Sequence, residues 1–572
     1  MEPEGQPPPW YVSHTLPSPV WTWRDLAEYP WLSLRAYVMR TKRIFGWRLL
    51  AYIGIVQVFL KGAATSITMS TMLPLFKNRL GIEASSLQLY MMAVMVPWSV
   101  KPIMGLITDL TVLGDYHKYY WMLGALGIGV TGSIFSFVAF STGSIAGLVI
   151  CFTMTQVQVA LFDLMVEATY SAVMRAHPYT KSDVVTLAQG CQIAGGMIVL
   201  TFVGALSDAL AFYALFSIAL VLYLITLPFT LLNWMGERPV YDPNARGVLR
   251  LVGSDRLARE GRRAVVILFA GIGAIVVAVV ANTADPAYAM VLALLLAAGC
   301  IMGAYAVFPR TVAALALYQV IATISRPSLG SALDYFYTAD AVCLPDGPHF
   351  SYAYYQTVVG IVSSLASLGG VLGYQWVLSG MPFRRVAMLT TVSRCLGGAT
   401  DLWMVLRWNV AIGIPDALAY LVGEAMLEPV FVMLNYVLGT VLISKVVQPG
   451  MESSIYAFMA GIYNFSSITS RLTGALIYES AGIRTVLEPS ALQCNFDALW
   501  WLIIVCHITL PMCCTLPAAW FLVPDVAQDQ SLVPAEEQHV RGMQLVLEPD
   551  SDAETDLAMS DSFDGSGHEE EE

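Results

Sequence analysis

Asp163 and Glu167 stand one helical turn apart in LFDLMVEATY (161–170), inside a stretch otherwise apolar enough for a bilayer, and Glu424 and Glu428 repeat the spacing in VGEAMLEPVF. Two poorly hydrated carboxylates so close repel each other, so one of them can hold and exchange a proton near neutral pH. On this reading Glu167 and Glu424 are proton-coupling groups. The alternative is structural: Lys61 or Lys101 from a neighbouring span neutralises the acids and ties helices together. A charge at the bilayer centre costs at least about 2.5–3.5 kcal/mol, so each remaining buried charge also needs a partner or a water-filled cavity. Lys61 and Arg326 fall at similar depths of two well-separated spans and can grip an anion between them, or be neutralised locally, Arg326 by Asp334 on its own span. Arg471 has no acid on its own span and is the freer anion ligand. Arg394 and Asp401 lie seven residues apart on one face and are expected to pair; His507 lies in the last apolar span.

The elements that must position these groups follow from composition. The chain has 572 residues, of which 57% are hydrophobic and 13% charged, which is too apolar for a soluble domain. About 20 apolar residues cross a hydrocarbon core. Fourteen stretches qualify when a few internal charges are admitted: 51–76, 88–108, 119–140, 146–170, 186–206, 212–233, 264–282, 287–307, 313–338, 354–379, 386–406, 415–441, 455–478 and 499–522. The net charge of -12 resides in the segment after Val523, where fifteen acids face one arginine; this reads as a solvated, disordered interaction tail. The near-neutral body gives no reason to expect nucleic acid. Lysine and arginine gather in the N-terminal tail (Arg35, Arg40, Lys42, Arg43, Arg48) and in GERPVYDPNARGVLRLVGSDRLAREGRR, which places both termini in the cytoplasm. No short apolar leader precedes the first span, which therefore targets the chain.

Internal repetition sets the organisation. The fifth span ends VGALSDAL (203–210) and the thirteenth TGALIYES (473–480), while the fourth and twelfth carry the paired acids. These matches correspond if spans one to six and nine to fourteen are two halves of one carrier-like fold, with spans seven and eight inserted between them. The expected division is a cytoplasmic tail (1–48), a six-helix half (49–234), a basic linker (235–263), an inserted helix pair (264–312), a second six-helix half (313–523) and an acidic tail (524–572). Such an all-α polytopic membrane protein has the organisation of the major facilitator superfamily. The nine cysteines lack CxxC spacing and point to no metal or cofactor. Cys343 and Cys494 fall in predicted outer loops and are a candidate disulfide.

Three stretches, WSVKPIMGLITDL (98–110), LFDLMVEATYSAVMR (161–175) and RPSLGSALDYFYT (326–338), together resemble the folate/biopterin transporter family, a branch of the major facilitator superfamily. The resemblance covers roughly 45–525, and the extra helix pair is similar to the protozoan branch. GLITDLTVLGDYHKYY is similar to the facilitator loop motif, with Gly105 permitting close helix approach and Asp109 able to cap or pair across the half interface in gating; Lys101, Asp334, Arg394 and Asp401 are expected with it as gating or structural charges. In the family a basic residue often follows the VE of the fourth-span motif, whereas here Ala168 and Thr169 follow it.

The resemblance implies uptake of a pteridine, folate or biopterin, by alternating access with proton symport. Some members carry S-adenosylmethionine instead. A pterin ring presents adjacent donors that one carboxylate, Asp163 or Glu428, accepts in bidentate fashion. Folate adds two carboxylates, for which Lys61, Arg326 and Arg471 are the expected ligands. The expected partners are thus the solute, protons and the lipid bilayer, for a monomer in the plasma membrane. No hydrolase or transferase motif competes. A different class of function stays open: a non-transporting receptor or scaffold working through the acidic tail.

Overall fold

The computed structural model describes residues 41–176, 183–239, 249–251, 254–446, 452–486 and 493–528. The expected N-terminal tail before residue 41, residues 240–248 and 252–253 of the basic linker, and the acidic tail from residue 529 lie outside the described residues.

Among the described residues, eleven helices are long and apolar enough to cross a membrane. They are α1 (Trp47–Arg79), α2 (Ala84–Thr108), α3 (Tyr119–Ser141), α4 (Ile145–Ser171), α5 (Leu187–Asp208), α6 (Phe212–Leu231), α7 (Gly261–Thr283) and α8 (Pro286–Val307), then, after two shorter helices, α11 (Ala353–Gly373), α13 (Asp416–Ile443) and α15 (Leu499–Leu522). The other three predicted spans are helical but not apolar throughout. The stretch 313–338 is not one helix: α9 (Arg310–Ile324) ends before Pro327, and α10 (Gly330–Tyr337) begins after it. Proline has no N–H to donate and pushes Arg326, the residue before it, off helical geometry, so the chain unwinds at Ser325–Leu329. α12 (Phe383–Val405) carries Arg384, Arg385, Arg394 and Asp401, and α14 (Glu452–Ser480) carries Arg471 among many hydroxyl side chains. Apolar length alone therefore does not fix the count at fourteen.

The unwound segment stays satisfied at depth because other helices supply partners, as irregular backbone inside a membrane protein requires. Ser470 of α14 donates its hydroxyl to the Arg326 carbonyl at 2.7 Å and accepts from Ser328 N–H through its own carbonyl at 3.1 Å. Gln88 of α2 donates to the carbonyls of Ser328 (2.8 Å) and Arg471 (2.6 Å).

The helix ends that carry the Cys343–Cys494 disulfide are tied across the two sequence halves. Asp208 at the end of α5 accepts the Tyr352 and Ala353 N–H groups, both at 2.8 Å, where α11 begins. Glu83, ahead of α2, accepts from Thr485 N–H at 2.8 Å and from Val486 N–H at 3.2 Å. Lys77 donates to Thr338 Oγ1 at 2.7 Å, and Tyr335 donates its hydroxyl to the Ile82 carbonyl. The glycines of the two repeated GAL triplets explain the repetition. The Tyr352 backbone lies where a side chain on Gly204 would sit, and the Ser328 backbone does the same at Gly474. The first triplet marks a close approach between the halves, and the second one within the second half, at the break before α10. At the opposite, linker end, Thr111–Leu113 pairs antiparallel with Leu249–Leu251, joining the linker to the α2–α3 connection. α7 packs on α2, where Gly271 meets Ile103, while Thr473 of α14 meets Met290 of α8.

Candidate functional site

In the first half, the charged groups close into a square. Lys61 sits in a π-helical stretch of α1 (Val56–Ala64), a widened turn that favours functional positions. Its Nζ lies 2.9 Å from Asp163 Oδ1 and 3.7 Å from Glu167 Oε1, while Lys101 Nζ lies 2.8 Å from Asp163 Oδ2 and 3.2 Å from Glu167 Oε2. Gln57 adds a donor to Asp163 Oδ1 at 2.9 Å. The ring of Trp98 lies 5.0 Å from the Lys101 ammonium and 6.0 Å from that of Lys61. Two cations and two carboxylates leave no net charge, and each acid meets both lysines. Burial is unequal: the Asp163 side chain is 1% exposed and that of Glu167 32%. Asp163 thus holds the lysines, and Glu167 is the acid of this pair that reaches open space.

The second half is built differently. Arg326, freed by the break before Pro327, donates to the Arg394 carbonyl at 3.0 Å and to Glu428 Oε1 at 3.2 Å. Glu428 Oε2 is buried without a partner. Glu424 lies in a π-helical stretch of α13 (Leu421–Leu427) and accepts from Thr400 Oγ1 at 2.8 Å. Asp401 accepts from the Tyr337 hydroxyl at 2.8 Å, and its other oxygen lies 3.8 Å from His507 Nδ1. Gly397 and Gly398 of α12 make this crowding possible, since side chains there would overlap the Glu428 carboxylate and the His507 side chain.

The expected Arg394–Asp401 pair does not form. The Arg394 guanidinium makes no ion pair among the described residues, and its buried Nε lacks a partner. Seven residues along a helix separate two side chains by about 10 Å of axial rise, and Tyr337 and His507 approach Asp401 from other helices more closely. Arg326 likewise is not neutralised by Asp334, which accepts instead from the Tyr355 hydroxyl at 2.5 Å. Arg471 makes no side-chain hydrogen bond or ion pair among the described residues; Asp334 and Tyr463 act on it through space. The Asp109 side chain lies outside those described. Cys343 and Cys494 are joined in a disulfide, and Cys494 N–H donates to the Cys343 carbonyl at 2.8 Å.

Two residues that sequence reasoning missed complete the arrangement. Tyr436 of α13 and Tyr463 of α14 are 52% and 43% exposed. Lys61, Glu167 and Tyr463 are among the charged and polar groups acting on the Tyr436 hydroxyl, and Tyr463 in turn acts on Arg394 and Arg471. Through-space influence thus links Tyr436 to the first square and Tyr463 to the two arginines of the second half. Aromatic residues are common in apolar spans, so nothing in their spacing marks them. Chemically, the two halves together offer a partly exposed carboxylate, two exposed aromatic rings and two guanidinium groups without an ion pair among the described residues.

Residues 61–537 match the model of the BT1 family. The chain is 25% identical to the folate-biopterin transporter of Synechocystis sp. over 84% of each chain, and 23% identical to the probable folate-biopterin transporter 2 of Arabidopsis thaliana over 83% of this chain and 81% of that one. Among solved structures, the nucleoside transporter NupG superposes with a TM-score of 0.51 at 13% identity, covering 83% of this chain and 99% of the other. A POT family transporter in complex with 5-aminolevulinic acid gives 0.55 at 11% identity, with 82% and 94% covered. At such identities the likeness is one of fold, here that of multi-pass facilitator-type transporters. The chain belongs to the BT1 family.

Proposed function

We propose that this BT1-family chain carries a folate-type pteridine across the membrane by alternating access, with the solute held between the halves. The observation that carries the reading is the pair of guanidinium groups, Arg394 and Arg471, that make no ion pair among the described residues, together with the partly exposed carboxylate Glu167 and the exposed rings of Tyr436 and Tyr463. A pterin ring can donate to Glu167 from adjacent nitrogens and lie against the tyrosine faces. A dicarboxylate tail matches two guanidinium forks. Of the expected ligands, Arg471 keeps its role, and Arg394 joins it in place of Lys61 and Arg326, whose charges are already taken by acids. Asp163 is too buried to meet a solute, and Glu428 serves Arg326. Biopterin has no carboxylate, so this arrangement favours folate over it.

In this reading the basic linker faces the cytoplasm, as do both termini, and the disulfide end faces outward at the plasma membrane. The cross-half bonds at the disulfide end then describe a carrier closed to the outside. The chain works as a monomer that imports its solute with protons. The test is a labelled-uptake panel of folate, biopterin and S-adenosylmethionine in cells producing wild type, Arg394→Gln or Arg471→Gln. A hydrogen bond to a charged group contributes about 1.5–3 kcal/mol, so each change should weaken folate uptake by about 10- to 100-fold. Biopterin uptake should shift by less than about threefold. Equal loss for both pteridines, or folate uptake indifferent to both changes, refutes the arginine assignment.

A further inference from the structure

We infer that the proton carried with the solute is held between Asp401 and Glu424, beside His507, and that the broken helix at Pro327 reads its presence. This deepens the proposed proton-coupled carriage and rests on it.

The first support is a confrontation of two acceptors. His507 has a side chain only 8% exposed, and its Nδ1 has no hydrogen-bond partner although Asp401 Oδ2 lies 3.8 Å away. The Pro327 backbone lies beside the ring. A neutral imidazole has one donor and one acceptor nitrogen. With the proton on Nε2, Nδ1 turns a lone pair toward a carboxylate oxygen. A proton on either atom turns this repulsive contact into a hydrogen bond. The widened helical stretch Ile504–Thr509 and the gap at Gly398 hold the ring in that place.

The second support is the charge around the pair. Tyr337 donates to Asp401 from α10, and Thr400 donates to Glu424 from α12; both donors are neutral. From α13, Glu428 adds a third carboxylate and Tyr420 a hydroxyl, while Tyr355 of α11 faces Tyr420. The cations are Arg326, bound to Glu428, and Arg394. Three carboxylates against two guanidinium groups leave one negative charge in excess, which one proton removes. The first-half square is already neutral and has no such vacancy, so Glu167 is a poor store for the coupled proton.

The third support is the connection to binding and movement. A solute carboxylate arriving at Arg394 adds negative charge to a region with one excess already, so anion binding favours proton uptake there, and the reverse holds by linkage. His507 lies beside Pro327, whose neighbour Arg326 bonds α12 and α13. Unwound segments of this kind are where carrier helices bend.

The experiment compares wild type, Asp401→Asn, Glu424→Gln, His507→Gln and Glu167→Gln, each checked for amount at the cell surface. Two assays are run: folate accumulation driven by an imposed proton gradient, and folate counterflow at equal pH on both sides, the latter over a range of pH. The expected result is that Asp401→Asn and Glu424→Gln lose at least tenfold of the gradient-driven accumulation while counterflow continues and loses its pH dependence. Glu167→Gln, a solute contact, should instead lose counterflow and accumulation together. Gradient-driven accumulation persisting in the Asp401→Asn/Glu424→Gln double variant overturns the inference. So does pH-dependent counterflow in that variant. Wild type that accumulates folate without regard to the gradient overturns proton coupling itself, leaving the carrier reading intact.

Discussion

If the first-half square is held together by charge balance, deleting two neighbouring corners of opposite charge should cost clearly less than the sum of the two single deletions. In Lys101→Met, Asp163 and Glu167 both depend on Lys61, whose ammonium already lies 2.9 Å from one and 3.7 Å from the other. Asp163 is 1% exposed and cannot recover the loss from water. Breaking a buried pair from one side costs about 3–5 kcal/mol, and each 1.4 kcal/mol is tenfold in an equilibrium constant, so the folded population should fall by about 10² to 10³·⁵. Asp163→Asn leaves two ammonium groups on one carboxylate and belongs in the same range. The double variant, Lys101→Met with Asp163→Asn, keeps one cation, Lys61, and one acid, Glu167, and is neutral again. Its cost should fall at least about 2 kcal/mol short of the sum of the single changes, the size of coupling expected for groups in one network. Denaturant titration of the purified carrier in detergent, followed by tryptophan fluorescence, measures all three. Costs that add within about 0.5 kcal/mol would mean that the four charges do not act as a unit, and the contrast drawn between the halves would go with them.

Two further changes probe the disulfide end. Cys343→Ser should lower stability by about 2–5 kcal/mol, because the bond closes a loop of 151 residues; an unreduced sample should lose the same amount on adding a thiol reductant, and an unchanged denaturation midpoint would speak against the bond. Asp208→Asn should weaken the two 2.8 Å bonds that start α11, at about 0.5–2 kcal/mol, and so raise the population open at that end. A cysteine placed at Asn78, next to Tyr352, should then react faster with an impermeant thiol reagent, and an unchanged rate would show that Asp208 is no latch.

What the sequence disclosed and what it withheld divide along physical lines. Apolar runs and the VGALSDAL and TGALIYES repeats were legible because membrane thickness sets a length and a repeated close approach demands a glycine at the same place. The acids were legible as a site because charges in a bilayer are costly. Their partners were not. Spacing along one helix says which residues share a face, and says nothing of what another helix brings to that face. This is why Arg394 and Asp401 looked like a pair, although Tyr337 and His507 take Asp401 from α10 and α15. Nor does a one-turn spacing reveal that Asp163 is sealed while Glu167 is partly exposed. Two signals were present but unread: Pro327 in the middle of a predicted span marks the break that frees Arg326, and the Gly397–Gly398 pair marks where Glu428 and His507 crowd α12.

The two halves therefore share a pattern of acids and use it oppositely. In the first, two lysines match two acids, and such a balanced square can move as a rigid unit. In the second, the charges do not balance and an arginine stands free, so the half changes its energy when a proton or an anionic solute arrives. A carrier coupling the two needs both properties. One side must hold its shape so that the difference between bound states appears as movement, and the other must respond to load. The break at Pro327 lies on the responsive side, between the proton site and Arg326, where a small change in charge meets backbone that no helical ladder stiffens.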